Sequence, residues 1–159
     1  MDNLSVRRLK KEDAAVVSEI ICRNFMEVNI KDYPREEMEE KSKLYNAEKV
    51  LEIDSYAHMY VACLDGLVVG CGAISSFWEK LDESIFLTIF ILPELQGKGI
   101  GKSIILELEK DEYFLRASRI EIPSSVTACS FYKKFGYDHK DGVSEIDNEG
   151  HYRLEKFRK

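Results

Sequence analysis

Two neighbouring runs of sequence decide the fold of this chain: Ser84-Ile85-Phe86-Leu87-Thr88-Ile89-Phe90-Ile91 and, shortly after Pro93, Gln96-Gly97-Lys98-Gly99-Ile100-Gly101. The first run is almost continuously apolar, which is typical of a central strand covered on both faces. From Ile100 within the second run onwards, apolar residues recur at helical spacing, at Ile100, Ile104, Ile105 and Leu108. The pattern predicts a buried strand, a glycine-rich turn and an amphipathic helix, in that order.

The glycine-rich turn has the chemistry of a pyrophosphate site. A strand that runs into three alternating glycines and then a helix gathers free backbone N–H groups at the positive end of the helix. A Cβ atom at Gly97, Gly99 or Gly101 would keep phosphates away from the backbone and would oppose positive φ. Lys98 and Lys102 add positive charge beside the turn.

Two common phosphate-binding templates do not fit the spacing. The P-loop pattern matches Gly101-Lys102-Ser103 at its end, but its first glycine would fall on Gln96. The dinucleotide pattern G-x-G-x-x-G matches Gly97 and Gly99 but requires glycine where Lys102 stands.

A third template fits throughout. Gln96, Gly99 and Gly101 satisfy the signature Q/R-x-x-G-x-G/A, and the preceding strand, Pro93 and Ile100 are its usual companions. On these residues the sequence resembles the GCN5-related N-acetyltransferase (GNAT) family. The resemblance implies acetyl-coenzyme A as cosubstrate, with no metal. It also implies an α/β fold: a mixed, mostly antiparallel central sheet flanked by helices, with one parallel strand pair splayed at the cofactor cleft.

A second motif of the family matches the run from Ser125 to Tyr137. It reads A-x-x-F-Y-x-x-x-G-F/Y, and Ala128, Phe131, Tyr132 and Gly136 stand at the required spacing. Many members carry Asn where Ser125 stands, in contact with the pantetheine arm, and Ser keeps a hydrogen-bonding group there. The resemblance gives Tyr132 the task of protonating or hydrogen-bonding the departing coenzyme A thiolate. A phenol with a pKa near 10 is still protonated at neutral pH and can donate.

The resemblance also implies direct attack of a primary amine on the thioester. The negative charge on the carbonyl oxygen then needs a fixed donor. In the family this donor is a backbone N–H two residues before the proline, which is Ile91 here.

The base that takes the amine proton is left open by the sequence. The strand Ile85–Ile91 contains no carboxylate, and the nearest acids are Glu83 at its start and Asp82 and Glu79 before it. Glu83 is the first candidate, and a water chain is the alternative. The three histidines, His58, His139 and His151, are interpreted as packed or exposed residues and not as bases.

The flanking sequence predicts further elements. Asp65-Gly66 separates two strand-like runs, 57–64 and 67–77, and predicts a hairpin. We expect an edge strand at 5–9, a helix after Asp13, a solvated helical stretch from Pro34 to Leu51, a strand at 119–122, a helix around 128–135, and two closing strands between Gly142 and Phe157. Residues 1–159 are expected to form a single domain.

Composition limits the partners. The formal net charge of −6 argues against nucleic acid and is compatible with a cationic small-molecule or peptide amine. No run approaches the roughly 20 apolar residues that span a membrane, so we expect a soluble, cytoplasmic protein without a membrane partner. The four cysteines form no C-x-x-C pair and predict neither a zinc nor a redox site. Homodimers are common in the family, and the resemblance leaves that assembly open.

Two other functions remain open at this point. One is a non-catalytic relative that binds coenzyme A as a sensor, against which Tyr132 argues. The other is a nucleotide-binding protein that uses Gly101-Lys102-Ser103, which would need Mg²⁺ and an acidic partner that the sequence does not offer.

Overall fold

The computed structural model describes residues 3–78 and 80–158. Within these ranges the strands are β1 (Leu4–Arg8), β2 (His58–Leu64), β3 (Leu67–Phe77), β4 (Lys80–Ile91), β5 (Arg119–Ser124), β6 (Asp138–His139) and β7 (Tyr152–Phe157). The helices are α1 (Ala14–Glu27), α2 (Arg35–Leu44), α3 (Ala47–Tyr56), α4 (Ile100–Leu108), α5 (Glu112–Leu115) and α6 (Cys129–Lys133).

The seven strands form one mixed sheet in the order β1-β2-β3-β4-β5-β7-β6. All neighbours are antiparallel except β4 and β5, which run parallel. That parallel pairing is short and extends only from Glu83 opposite Arg119 to Ile85 opposite Glu121. Beyond Ile85 the two strands separate, which confirms the expected fold with its splayed parallel pair.

Helices cover the sheet on both faces, and each face has its own buried cluster. One cluster joins α4 to the sheet through Ile104, Ile105 and Leu108. The other packs α1, α2 and α3 through Ile21, Met38 and Val50 and further apolar residues. The sheet, with its separated strands, therefore lies between two packed layers.

Local signals predicted the hairpin correctly. Asp65 has φ 52° and Gly66 has φ 83°, the positive values that a tight two-residue turn requires. The predicted helical stretch after Pro34 divides into two helices, because the side chain of Asn46 accepts a hydrogen bond from the backbone N–H of Lys49 and starts α3.

The prediction for the tail was only half right. β7 forms as expected and pairs with β5, but the strand on its other side is the two-residue β6, which precedes Gly142. The residues between Gly142 and β7 form a loop that packs near the cleft, as described below. Among the described residues no helix is long and apolar enough to cross a membrane.

Candidate active site

The separation of β4 and β5 opens a cavity of about 770 Å³. β4 lines it from Ile85 to Ile91, and β5 lines it through Ile122 and Pro123. The glycine-rich turn borders the cavity, and so do residues of α1, α2, α3 and α6. The cleft that the resemblance implied is therefore present, and most of the predicted site residues lie on it.

The glycine-rich turn has the backbone that the sequence predicted. Gly97 and Gly99 have φ of 79° and 85°, and apart from the glycine and its chain neighbours no atom of the described residues lies within 4 Å of the position that a Cβ would take at either residue. Gly99 is the N-cap of α4, so the first N–H groups of that helix lack intrahelical acceptors. Open space and free donors at a helix N-terminus are what a phosphate needs.

Gly101 serves a different purpose from the one expected. A Cβ atom there would lie 2.9 Å from Cζ of Phe131, so the missing side chain lets α4 approach α6. Lys102 lines the cavity together with Gln96, Gly97 and Ile100. Lys98 is exposed and does not line the cavity.

Asn24 ties the turn to the end of β4, and sequence reasoning missed it. Its buried amide nitrogen donates to the carbonyl oxygens of Ile91 (2.8 Å) and Ile20 (2.9 Å), and its amide oxygen accepts from Nε2 of Gln96 (3.2 Å). A signal was available, because Asn24 interrupts the apolar face of α1 three and four residues after buried isoleucines. A polar residue in that position needs partners.

The backbone N–H of Ile91 is directed towards the cleft. Leu92, the first residue after β4, donates its N–H to the carbonyl of Val69 in β3 (2.9 Å). Because antiparallel pairs alternate, the pair of Ile91 with Gly70 is the kind that exchanges no hydrogen bonds. The N–H of Ile91 therefore points away from β3 and towards the side on which β5 has separated.

A bulge in β4 lies between the paired and the separated parts of the strand. The register with β3 shifts between Cys71 and Ala73, and Thr88 there has φ 48°. The Thr88 hydroxyl is buried and has no hydrogen-bond partner among the described residues, although Thr88 lines the cavity. A non-glycine residue rarely has a positive φ, and the residues that do are concentrated at functional sites.

Tyr132 projects from α6 into the cavity lining and is only 6% exposed. Its hydroxyl makes no hydrogen bond to the described residues, so it is available to a ligand. Burial raises the pKa of Tyr132 above its usual value, and nearby Cys71 adds to the effect. The phenol therefore keeps its proton at neutral pH.

Ser125 also lines the cavity, but its hydroxyl is already used. Its oxygen accepts the backbone N–H of Ala128 at 3.3 Å, just before α6 begins. The hydroxyl hydrogen remains free to donate to a ligand.

Glu83 lies outside the cavity lining, so the structure does not bring it to the other site residues. Its carboxylate pairs with Arg119 at 2.8 Å and with Lys80 at 3.3 Å. Desolvation raises the pKa of Glu83, but the hydrogen bonds from Lys80 and Arg119 outweigh it and lower the pKa overall. A carboxylate with a lowered pKa is a weaker base. Asp82 is likewise absent from the lining, and Glu79 lies outside the described residues.

His151 lies on the cavity wall, where sequence reasoning did not place a functional group. Its Nδ1 is buried and has no hydrogen-bond partner among the described residues. Desolvation and the charge of Lys41, assisted by Arg153, lower the pKa of His151 below 6.5 against the opposing charges of Asp147 and Glu149. The imidazole is therefore neutral at pH 7 and can accept a proton.

The loop before β7 holds His151 in place. The carboxylate of Asp147 accepts the backbone N–H groups of Glu149 (2.9 Å) and His151 (3.0 Å) and the Nε of Arg153 (2.8 Å). Desolvation opposes these hydrogen bonds, yet they lower the pKa of Asp147 to about 2. Asp147 is therefore charged at neutral pH and fixes the loop.

Tyr33 fastens the same loop to the opposite layer. Its hydroxyl donates to the carbonyl of Gly150 (2.6 Å) and accepts the N–H of Val126 (3.2 Å). Thr127 adds a hydrogen bond to Asp32 at 2.5 Å. The segment between α1 and α2 thus closes one side of the cavity.

Among the described residues no cluster of three or more His, Cys, Asp or Glu side chains is arranged to hold a metal ion.

Comparisons with known proteins agree with this geometry. The sequence profile of the acetyltransferase (GNAT) domain matches residues 55–139, which is more than half of the chain. Amino-acid acetyltransferase from Mycobacterium tuberculosis is 28% identical over 100 residues, 63% of this chain. The match spans 52% of that protein, about half of its length.

Solved structures share the fold over almost the whole chain. The PaiA N-acetyltransferase of Thermoplasma acidophilum, in complex with coenzyme A, has a TM-score of 0.82 at 21% identity and covers 98% of this chain and 99% of its own. A GCN5-related N-acetyltransferase from Rhodopseudomonas palustris has a TM-score of 0.80 at 23% identity, covering 99% and 98%. At these identities the likeness shows the fold.

Proposed function

Because the chain belongs to the GNAT acetyltransferase family, we propose that it transfers an acetyl group from acetyl-coenzyme A to a primary amine by direct attack. One observation carries the proposal. The glycine-rich turn, the strand end at Ile91 and the phenol of Tyr132 line one cavity between separated strands. A protein that only binds coenzyme A would not need the phenol of Tyr132.

The cofactor occupies the turn side of the cavity. Its pyrophosphate accepts N–H groups at the start of α4, and Lys102 adds a positive charge. Ser125, which lines the cavity, would donate a hydrogen bond from its hydroxyl to the pantetheine arm. The thioester carbonyl accepts the N–H of Ile91, which meets the charge that develops on that oxygen.

The reaction exchanges one bond for another. The amine nitrogen forms a bond to the carbonyl carbon, and the bond from that carbon to sulfur then breaks. The electron pair leaves with the coenzyme A thiolate, and the nitrogen loses a proton to give a neutral amide. The reaction therefore needs two protein groups: one that stabilises the thiolate at the sulfur and one that accepts the proton from the nitrogen.

Tyr132 acts at the sulfur. An aliphatic thiol has a pKa of about 8.5, and the pKa of Tyr132 is raised from 10 by burial. Complete proton transfer from this phenol to the thiolate is therefore uphill. Tyr132 stabilises the leaving thiolate by donating a hydrogen bond, and solvent supplies the final proton.

His151 acts at the nitrogen. It is neutral at pH 7, its Nδ1 has no partner among the described residues, and it lines the same cavity as Tyr132. Glu83, paired with Arg119 outside the lining, keeps a structural role in this proposal.

Binding and turnover test the proposal together. Isothermal titration should detect acetyl-coenzyme A and give no heat with ATP and Mg²⁺. A panel of primary amines is then assayed for thiol release, with the expectation that at least one member reacts. Binding of ATP alone, or acetyl-coenzyme A binding without turnover on a broad panel, would overturn the proposed activity.

A further inference from the structure

The charges of the cavity wall differ from those of the whole chain. The formal net charge is −6, yet the lining contains four cations, Lys41, Lys49, Lys102 and Arg153, and one carboxylate, Glu149. Lys102 belongs to the cofactor turn. The other charged residues lie on α2, α3 and the loop and strand after residue 142, away from that turn.

Most of these charges are already neutralised within the protein. Arg153 contacts Asp147 at 2.8 Å, Glu149 at 3.2 Å and the buried Glu121 at 3.3 Å. Lys49 contacts Glu52 at 3.4 Å. The single lining carboxylate, Glu149, is thus committed to Arg153. A second ammonium group on an acceptor would find no free anion among the described lining residues.

Away from the cofactor turn, Lys41 is the exception among the described lining residues. Its ammonium group makes no ion pair or side-chain hydrogen bond among the described residues, although the residue is half-buried and lines the cavity. The Nζ lies 5.9 Å from the ring centroid of Phe25, and that ring packs edge-on against Tyr45 and Phe90. The positive charge of Lys41 also helps to lower the pKa of His151. A half-buried cation beside aromatic rings gains from an anionic partner.

We propose that the acceptor is an amine that also carries a carboxylate, and that Lys41 binds this carboxylate. The inference rests on the proposed acetyl transfer and names the substrate class of the same site. The aromatic rings beside Lys41 contact the apolar part of the acceptor. A carboxylate bound there neutralises Lys41, so the pKa of His151 rises towards its usual value and the imidazole accepts the amine proton more readily.

Matched pairs of acceptors separate this inference from its alternatives. L-phenylalanine and 2-phenylethylamine differ only by the carboxylate, as do L-lysine and cadaverine. Thiol release from acetyl-coenzyme A gives kcat/KM for each. We expect the carboxylate-bearing member of at least one pair to be preferred by roughly tenfold or more, since a charge-assisted hydrogen bond contributes an effect of this size.

The variant Lys41→Met should remove that preference by lowering kcat/KM for the carboxylate-bearing acceptor. For the carboxylate-free acceptor kcat/KM should not fall, because loss of the Lys41 charge raises the pKa of His151. Lys43→Met is the matched control, because Lys43 lies two residues further along α2 and its side chain is 76% exposed. The control should keep the preference.

The inference is overturned if the carboxylate-free amines react as well as the amino acids, or if Lys41→Met leaves the preference unchanged. Failure of the proposed function gives a different result, in which no member of the broad amine panel, these four included, releases thiol with the unaltered protein.

Discussion

At the scale of single residues, Tyr132 is the group whose removal separates catalysis from binding. Tyr132→Phe keeps the ring in its buried position and deletes only the hydroxyl that would face the thiolate. We expect kcat to fall by about 10²-fold, while the affinity for acetyl-coenzyme A stays within about twofold. Steady-state kinetics and isothermal titration measure the two quantities.

Tyr137→Phe is the control for this substitution. Tyr137 is also buried, but its hydroxyl donates to Glu109 at 2.9 Å and the residue does not line the cavity. This variant should lose about 1 kcal/mol of stability with little change in kcat. Equal losses of kcat in both variants would contradict the role given to Tyr132.

His151 makes a prediction about pH. Its folded-state pKa lies below 6.5, so the imidazole is the neutral base above that pKa and becomes protonated as the pH falls through it. We expect kcat to be level at neutral pH and to decline on the acidic side. His151→Gln should reduce kcat at neutral pH by about 10²-fold and remove this acidic decline.

His139→Gln provides the comparison. His139 also has a buried Nδ1 without a partner among the described residues, but it lies outside the large cavity. Its variant should keep the acidic decline. If the pH profile of His151→Gln matches that of the unaltered protein, water and not His151 accepts the amine proton.

The residues found from sequence and those missed differ in a physical way. The glycines and Tyr132 belong to contiguous runs whose spacing carries the information. The position of Asn24 depends on Ile91, which lies 67 residues away along the chain. The position of His151 depends on a loop that Tyr33 binds from the opposite layer. No local pattern records such contacts, although a polar residue on an apolar helix face could have drawn attention to Asn24.

At the scale of elements, the turn before α4 can be tested with a matched pair of glycines. Gly99 and Gly66 both have positive φ, 85° and 83°, with open space at the Cβ position. Alanine at either should cost about 1 kcal/mol of stability through backbone strain alone. Only Gly99→Ala should also weaken acetyl-coenzyme A binding, by roughly tenfold, because its methyl group occupies the phosphate site.

Thermal unfolding and titration of both variants measure these effects. Similar melting temperatures with a binding loss confined to Gly99→Ala would support the phosphate site. Equal affinities in the two variants would mean that the pyrophosphate lies elsewhere.

The short parallel pairing of β4 and β5 gives a prediction for Glu83. Its ion pair with Arg119 spans the two strands where they are still paired. Glu83→Gln should therefore lower the free energy of unfolding by about 1 kcal/mol and leave kcat within about twofold. A fall in kcat of about 10²-fold or more, as expected when a general base is removed, would instead identify Glu83 as the base.

Element boundaries were predictable where one turn decides them. Asp65-Gly66 fixed the β2–β3 hairpin through local backbone preferences. Asp13 does precede α1, but its carboxylate accepts from the N–H of Lys10 and from Arg7 and does not cap the helix. The pattern between Gly142 and β7 predicts a strand, but these residues form a loop, because the distant Tyr33 binds the carbonyl of Gly150 and Asp147 accepts the N–H groups of Glu149 and His151 within the loop.

At the scale of the whole molecule, the two halves of the chain contribute different things. The second half supplies the cofactor turn, the strand end and Tyr132. The first supplies α1 and α2, which close the cavity and bring Lys41 to its wall. The net charge of −6 is compatible with a cationic acceptor. The described cavity lining nevertheless carries four cations and one carboxylate, because net charge does not reveal where the charges lie.

Product analysis of a complete reaction tests the central claim most directly. The protein is mixed with acetyl-coenzyme A and the acceptor amine, and mass spectrometry follows thiol, acetamide and intact protein at once. Direct transfer predicts one acetamide for each thiol released and no acetylated protein at any time. Thiol release without acetamide, or an acetyl group on the protein that then passes to the amine, would contradict the account.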